Sequence, residues 1–345
     1  MAWYNSENKN SEYVLWSRVK IYRNIEDYEF LRFKDYNKNV SMIDKVSSIL
    51  ERNGFHTAKD CENCDYLKYA EMGYADKGFI ESENNKALYI NEPCNLSVSI
   101  GGGDHICISS MLPSLSFDEA NINANEIESL LDMEFNFSYS DKLGYISPYP
   151  LHTGHGVVYS SAVYLPVLSG LFEIKKLKKK ARILGLEIHP MTTYEYNQGN
   201  FFIIEYIPDV NVNLIDAMKV IGDFIKFVVS FEKECESKVF SDNSAVINKA
   251  WRSVGIMEYA SSITEDEMLS LLSDIRLTHC LGISDTLPYP ISYPNINTLQ
   301  AELMNTFIYS AFAPSERDNN NCDVKRAKAL NEFIRGLKIQ KGCVV

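Results

Sequence analysis

Three short runs, Lys86 to Ile90, Ser97 to Ile100 and Ile106 to Ser110, follow one another with only turn residues between them, a pattern that predicts an antiparallel meander. Tyr13 to Arg23, dense in β-branched and aromatic residues, predicts a further strand, and Leu186 to His189 and Phe201 to Ile207 predict two more. Elsewhere the apolar spacing is that of amphipathic helices: Ser41 to Arg52, with Ser41 as N-cap and Asn53-Gly54 as the stop; Phe117 to Met133; a segment opening at about Ser161; Leu214 to Glu236; and Asn243 to Val254. The expected fold class is therefore α+β, a largely antiparallel sheet flanked by helices. After Gly255 the texture becomes helical. Thr264 and Glu267 form a capping box, and helices are expected over Thr298 to Phe312 and Val324 to Leu337. A boundary near residue 258 divides a first domain, 1–258, from a small all-α domain, 259–345.

Chemistry is expected on the loop Asp141 to Gly156, where strand-like residues feed two prolines, two glycines and two histidines. Arg18 and Lys20, two apart on a strand, form a small cationic comb on one face, while solvated strand-edge charge is the plainer reading of Arg18, Lys20 and Arg23. Gly101-Gly102-Gly103 is a flexible turn or bulge, or an anion nest. Cys61 and Cys64 form a Cys-x-x-Cys pair, with no second pair at zinc-ligand spacing. Lys175, Lys176, Lys178, Lys179 and Lys180 crowd one helix end, where cations oppose the macrodipole by roughly a few tenths of a kcal/mol each; a polybasic binding patch is the alternative. A net charge of -12 excludes broad nucleic-acid binding. The polar N-terminus lacks a signal-peptide core and no apolar run is long enough to span a bilayer, so a cytoplasmic protein without nucleic-acid or membrane partners is expected, its eight scattered cysteines reduced.

Trp16-Ser17-Arg18-Val19-Lys20, Asp104-His105-Ile106-Cys107-Ile108, Lys142-Leu143-Gly144-Tyr145, Leu165-Pro166 and Gly199-Asn200-Phe201-Phe202 lie in the order of motifs of the ATP:guanidino phosphotransferases, or phosphagen kinases. The chain resembles their bacterial protein arginine kinase branch. That resemblance extends to a helical C-terminal domain through Leu271 to Leu277 and Asp323 to Ala327. It implies a glutamine-synthetase-like catalytic domain and transfer of the ATP γ-phosphoryl group to a guanidinium nitrogen. Such transfer needs cations around the triphosphate and carboxylates at the guanidinium.

Of the five positions that the resemblance assigns to phosphate-holding arginines, this chain keeps Arg18, has Lys20 at a second, and holds Cys107, Val158 and His189 at the others. Gly103 stands where the family has its glutamate base, and Tyr149 where it has a reactive cysteine. The second carboxylate falls at Thr193 or Tyr194, with Glu195 the nearest acid. A pseudokinase on the arginine-kinase fold is expected, with no cofactor. It would serve as a binding or regulatory module for a protein partner, such as an active arginine kinase or a Clp-type protease system. The alternative is a divergent Mg-ATP-dependent protein arginine kinase in which Lys20, Glu195 and the histidines take over lost roles. His105, His152, His155 and His189 are candidates for an anion or metal site. In the C-terminal domain Arg317, Asp318 and Arg326 are candidates for binding phosphoarginine, with Asn319 to Cys322 as an insertion between them and an Asp N-cap with ordinary helix charges as the plainer reading. A homodimer is what the family implies.

Overall fold

The structure is a computed structural model describing residues 3–5, 12–30, 39–58, 65–82, 85–191, 199–240, 242–309 and 318–340. Among the described residues ten strands run β1 (Val14–Arg23), β2 (Phe55–Thr57), β3 (Ala87–Asn91), β4 (Leu96–Ile100), β5 (Ile106–Pro113), β6 (Tyr139–Ser140), β7 (Gly144–Tyr145), β8 (Val157–Tyr164), β9 (Leu186–Pro190) and β10 (Phe201–Tyr206). All but β6 and β7 join one antiparallel sheet in the order β2-β3-β4-β5-β1-β8-β10-β9. The expected meander is β3-β4-β5, and β1 lies at the centre.

The helices are α1 (Asn39–Arg52), α2 (Asp65–Glu71), α3 (Lys77–Glu81), α4 (Phe117–Asp132), α5 (Pro166–Gly170), α6 (Ile174–Ile183), α7 (Leu214–Val239), α8 (Ser244–Tyr259), α9 (Glu265–Cys280), α10 (Tyr293–Glu302), α11 (Asn305–Tyr309) and α12 (Asn319–Gln340). One face of the sheet buries Val19, Ile21, Val98, Ile108 and Tyr159 against apolar residues of α1, α4 and α7, such as Val46, Ala124 and Ile221.

One expectation needs correction here. The residues from Ser161 do not open a helix: they finish β8, whose eight residues are all buried. A strand covered on both faces loses the alternation that would mark it, so an apolar run is ambiguous between strand and helix. Around the expected boundary near 258, α8 supplies Ala250, Val254 and Met257 to a second core shared with α9, α10 and α12.

Asn213 caps α7, its side chain accepting from the Ile215 N–H at 2.8 Å. Further along α7, the buried Glu232 carboxylate accepts from the Val167 and Leu168 N–H groups at 2.6 and 3.0 Å, tying α7 to α5. Burial pushes this carboxyl from 4.5 up to about 7, against the two N–H groups that favour its charge. The folded state thus binds the proton more tightly than the unfolded chain. The stability so contributed is complete below about pH 4.5 and lost as the pH rises through about 7. Thermal midpoints of the Glu232→Gln variant are expected to fall less over that window than those of the wild-type protein. Parallel slopes in differential scanning calorimetry would contradict this.

Candidate active-site cleft

The period of two along β1 sends Val19 and Ile21 to the helix-covered core and Arg18, Lys20 and Tyr22 to the opposite face. Arg18 donates from Nε to Ser160 Oγ at 3.1 Å and from Nη1 to the Gly73 carbonyl at 3.3 Å, with its guanidinium 4.9 Å from the Trp16 ring centre. Lys20 is 6% exposed and its Nζ lies 3.9 Å from Asp76 Oδ2. Asp76 is the better-held partner, because it also accepts from the Phe79 N–H at 2.8 Å and the Tyr22 hydroxyl at 3.2 Å. Burial pushes Asp76 up, but Lys20 and these donors together bring it below the usual carboxylate range. Burial, and then Arg18, lowers Lys20.

In register, Cys107 of β5 stands opposite Tyr22 and Val158 of β8 opposite Lys20. Tyr22, Cys107 and Val158 are buried together as an apolar cluster, with Ile207 packed against it. Burial pushes the Cys107 thiol up to about 12, with Asp76 adding to the effect.

The loop that follows is pinned at both ends. Tyr145 and Gly154 exchange backbone hydrogen bonds at 2.8 and 3.0 Å. Gly144 there has φ +76, and a Cβ on it would lie 2.4 Å from the Gly154 carbonyl oxygen, so only glycine fits. Arg23, 3% exposed, donates to the Tyr22 and His155 carbonyls at 2.7 and 3.0 Å, ion-pairs with Glu128 and stacks 3.4 Å from the Tyr145 ring centre. Within the loop, His152 Nδ1 donates to Asp104 Oδ2 at 2.6 Å and its ring stacks on Tyr22 at 3.7 Å between centres. Asp104, 5% exposed, also accepts from Ser147 at 2.5 Å and Asn24 at 2.7 Å. A cavity of about 380 Å³ opens between Tyr22, Asp76, Gly103, Asp104, Tyr149 and His152. The Tyr149 ring fills the space beside Gly103: a Cβ added at Gly103 would lie 2.2 Å from Tyr149 Cε2 and 2.3 Å from its hydroxyl.

Residues 35–204 match the family model of the ATP:guanido phosphotransferase C-terminal catalytic domain, and residues 243–341 match that of the protein-arginine kinase McsB C-terminal domain. The chain belongs to the ATP:guanido phosphotransferase family. The protein-arginine kinase of Clostridium novyi (strain NT) is 24% identical over 361 residues, covering 98% of this chain and 99% of that protein. The protein-arginine kinase of Geobacillus sp. (strain WCH70) is 25% identical over 350 residues, covering 97% and 94%. Among solved structures, the duplicated taurocyamine kinase from Schistosoma mansoni with bound transition-state-analogue components aligns at TM-score 0.58 and 16% identity, over 76% of this chain and 39% of that one. Lombricine kinase aligns at TM-score 0.55 and 13% identity, over 70% and 71%. These two establish the fold alone.

For this phosphotransferase homologue, the structure gathers Arg18, Lys20, Cys107 and Val158 on one face of β5, β1 and β8, whereas His189 sits on the edge strand β9 and donates from Nδ1 to the Pro190 carbonyl at 3.2 Å. The histidines do not form one site. His105 is fully buried, accepting from the Ile25 N–H at 3.0 Å and donating to the Glu29 carbonyl at 2.8 Å; burial lowers its pKa, so it is held neutral. His155 donates to the Val212 carbonyl at 2.8 Å. Among the described residues no group of three or more His, Cys, Asp or Glu side chains is placed to hold a metal ion.

Arg326 is corrected too: it is fully buried, donating to the Leu303 and Ile263 carbonyls at 2.8 Å each, to Asp323 at 2.7 Å and to Asn305, so no free guanidinium edge remains for a phosphoryl group. Asp318 accepts from the Asn321 N–H at 2.7 Å in the first turn of α12, so Asn319 to Cys322 form the start of that helix. Tyr194, Glu195, Arg317, Cys61 and Cys64 lie outside the described residues. Sequence reasoning missed Tyr22 and Asp76 as cleft residues and took Arg23 for surface charge. The one visible signal was Asp76, an N-cap for α3 three residues before Phe79.

Proposed function

We propose that this chain is a protein-arginine kinase homologue that does not transfer phosphoryl groups and acts as a binding or regulatory module for a protein partner. The observation that carries this is the Tyr22, Cys107 and Val158 cluster: at two positions where the family resemblance calls for arginines, the side chains pack on one another. Charge-assisted hydrogen bonds are worth about 1.5–3 kcal/mol each, and a transition-state arginine about three to five orders of magnitude in rate. Lys20, with one distant counterion and no bidentate fork, does not replace three of them. The Tyr149 ring fills the space into which a base at position 103 would project. Among the described residues the cavity wall carries no arginine or lysine to grip phosphate oxygens; its acids are Asp76, Glu81 and Asp104. The family implies Mg-ATP, and these residues do not fit it.

Titration calorimetry with Mg-ATP is expected to give no binding heat. Incubation with Mg-ATP and a protein substrate is expected to leave no phosphoarginine detectable by mass spectrometry, with the Clostridium novyi kinase as positive control. Nucleotide binding together with phosphoarginine formation overturns the proposal in favour of a divergent kinase.

A further inference from the structure

The lysine-rich stretch singled out in the sequence is α6, and its surroundings are unusual. Leu177 and Ala181 are its buried residues. Two residues away along a helix is the opposite side, so Lys175, Lys179 and Ile183, spaced by four, form one outward row, and all three are exposed. Lys176, Lys180 and Arg182 are exposed beside it, and Lys176 is the one of them paired with an acid of the same segment, Glu173 at 2.7 Å. Both ends of the helix carry bare apolar side chains. Phe172 is 82% exposed and Ile183 84%, with Leu171 and Leu184 about half exposed. Phe172 also holds φ +59, a conformation rare for a bulky residue.

We propose that α6 and its two apolar ends are a docking face for an anionic lipid surface. Charges beyond about 8 Å are screened at physiological salt, so the local cluster, and not the chain's net -12, decides what this face attracts. Most of its cations are lysines, which are depleted at protein–protein interfaces, and its apolar groups protrude at the ends of the helix instead of filling a central pocket. Protruding aromatic and aliphatic side chains flanked by lysines suit the boundary between headgroups and acyl chains, which takes up both kinds of group. No described helix is long and apolar enough to cross a membrane, so the contact is peripheral.

The test is co-sedimentation of the full chain with vesicles of phosphatidylcholine alone or mixed with phosphatidylglycerol. Partitioning is expected onto the phosphatidylglycerol vesicles only, weakening as salt is raised. Lys175→Gln combined with Lys179→Gln is expected to lower it about 25-fold, at about fivefold per lysine. Phe172→Ser with Ile183→Ser is expected to lower it about tenfold or more while leaving the thermal midpoint unchanged, since both side chains are exposed. Failure of the wild-type chain to sediment with anionic vesicles at low salt overturns the proposal. So does equally tight binding of single-stranded RNA or polyglutamate together with unchanged vesicle partitioning in the Phe172→Ser, Ile183→Ser variant.

Discussion

Arg276→Ala is expected to lower the stability of the chain by about 3–5 kcal/mol, the range for emptying a large buried site. Arg276 is fully buried on α9, and its guanidinium lies 5.7, 5.1 and 4.9 Å from the ring centres of Tyr164 on β8, Phe201 on β10 and Tyr293 on α10. It donates to Asn297 and, at 3.4 Å, to Gln300, while its Nε and Nη1 meet no hydrogen-bond acceptor. The cation is therefore held by ring faces as much as by amides. It sits where the sheet meets the C-terminal helices, beside the Tyr164 hydroxyl that donates to the Ser273 carbonyl at 2.7 Å. Truncation leaves a hole between the sheet and the C-terminal helices and strips Asn297 of its donor. Arg276→Met keeps much of the volume and removes a buried charge, so its loss is expected to be the smaller of the two. Urea unfolding of both variants checks this; a wild-type midpoint for Arg276→Ala would mean that the cage contributes nothing.

Gly103→Ala is expected to cost up to about 1 kcal/mol, because its Cβ collides with the ring of the exposed Tyr149 and drives it off the cavity wall. The cost belongs to the pair. In a Tyr149→Ala background the same alanine meets no ring and is expected to be close to neutral, leaving a coupling of about 0.5–1 kcal/mol. A double-mutant cycle by urea unfolding measures it, and additivity of the two changes would show that Tyr149 does not occupy that space in solution. The Gly103 backbone is not in a left-handed conformation, so any loss reports the ring and not strain.

What the sequence showed and what it hid divide along physical lines. The β3-β4-β5 meander was legible because each strand is short and bounded by turn residues, and α9 because Thr264 accepts from the Glu267 N–H as its capping signal implies. The β8 strand was not, since burial on both faces erased its period. Charges were the harder problem. Arg23 and Arg326 look like surface cations in sequence, yet each is buried on carbonyls supplied by residues distant in the chain. The same holds for the cleft: family motifs located Gly103 and Tyr149 separately, but only the folded chain shows one filling the space beside the other. Histidines grouped by motif were dispersed by the fold, because each found a different local partner.

The two-sidedness of β1 has a consequence for how such a chain drifts. Val19 and Ile21 face the helix-covered core, while Arg18, Lys20 and Tyr22 on alternate positions face the other side of the sheet. A substitution in the second series leaves the first untouched, so the pleat insulates architecture from chemistry. A protein built this way can exchange its working residues one by one and remain the same shape, which fits a chain only 24% identical to a protein-arginine kinase along nearly its whole length.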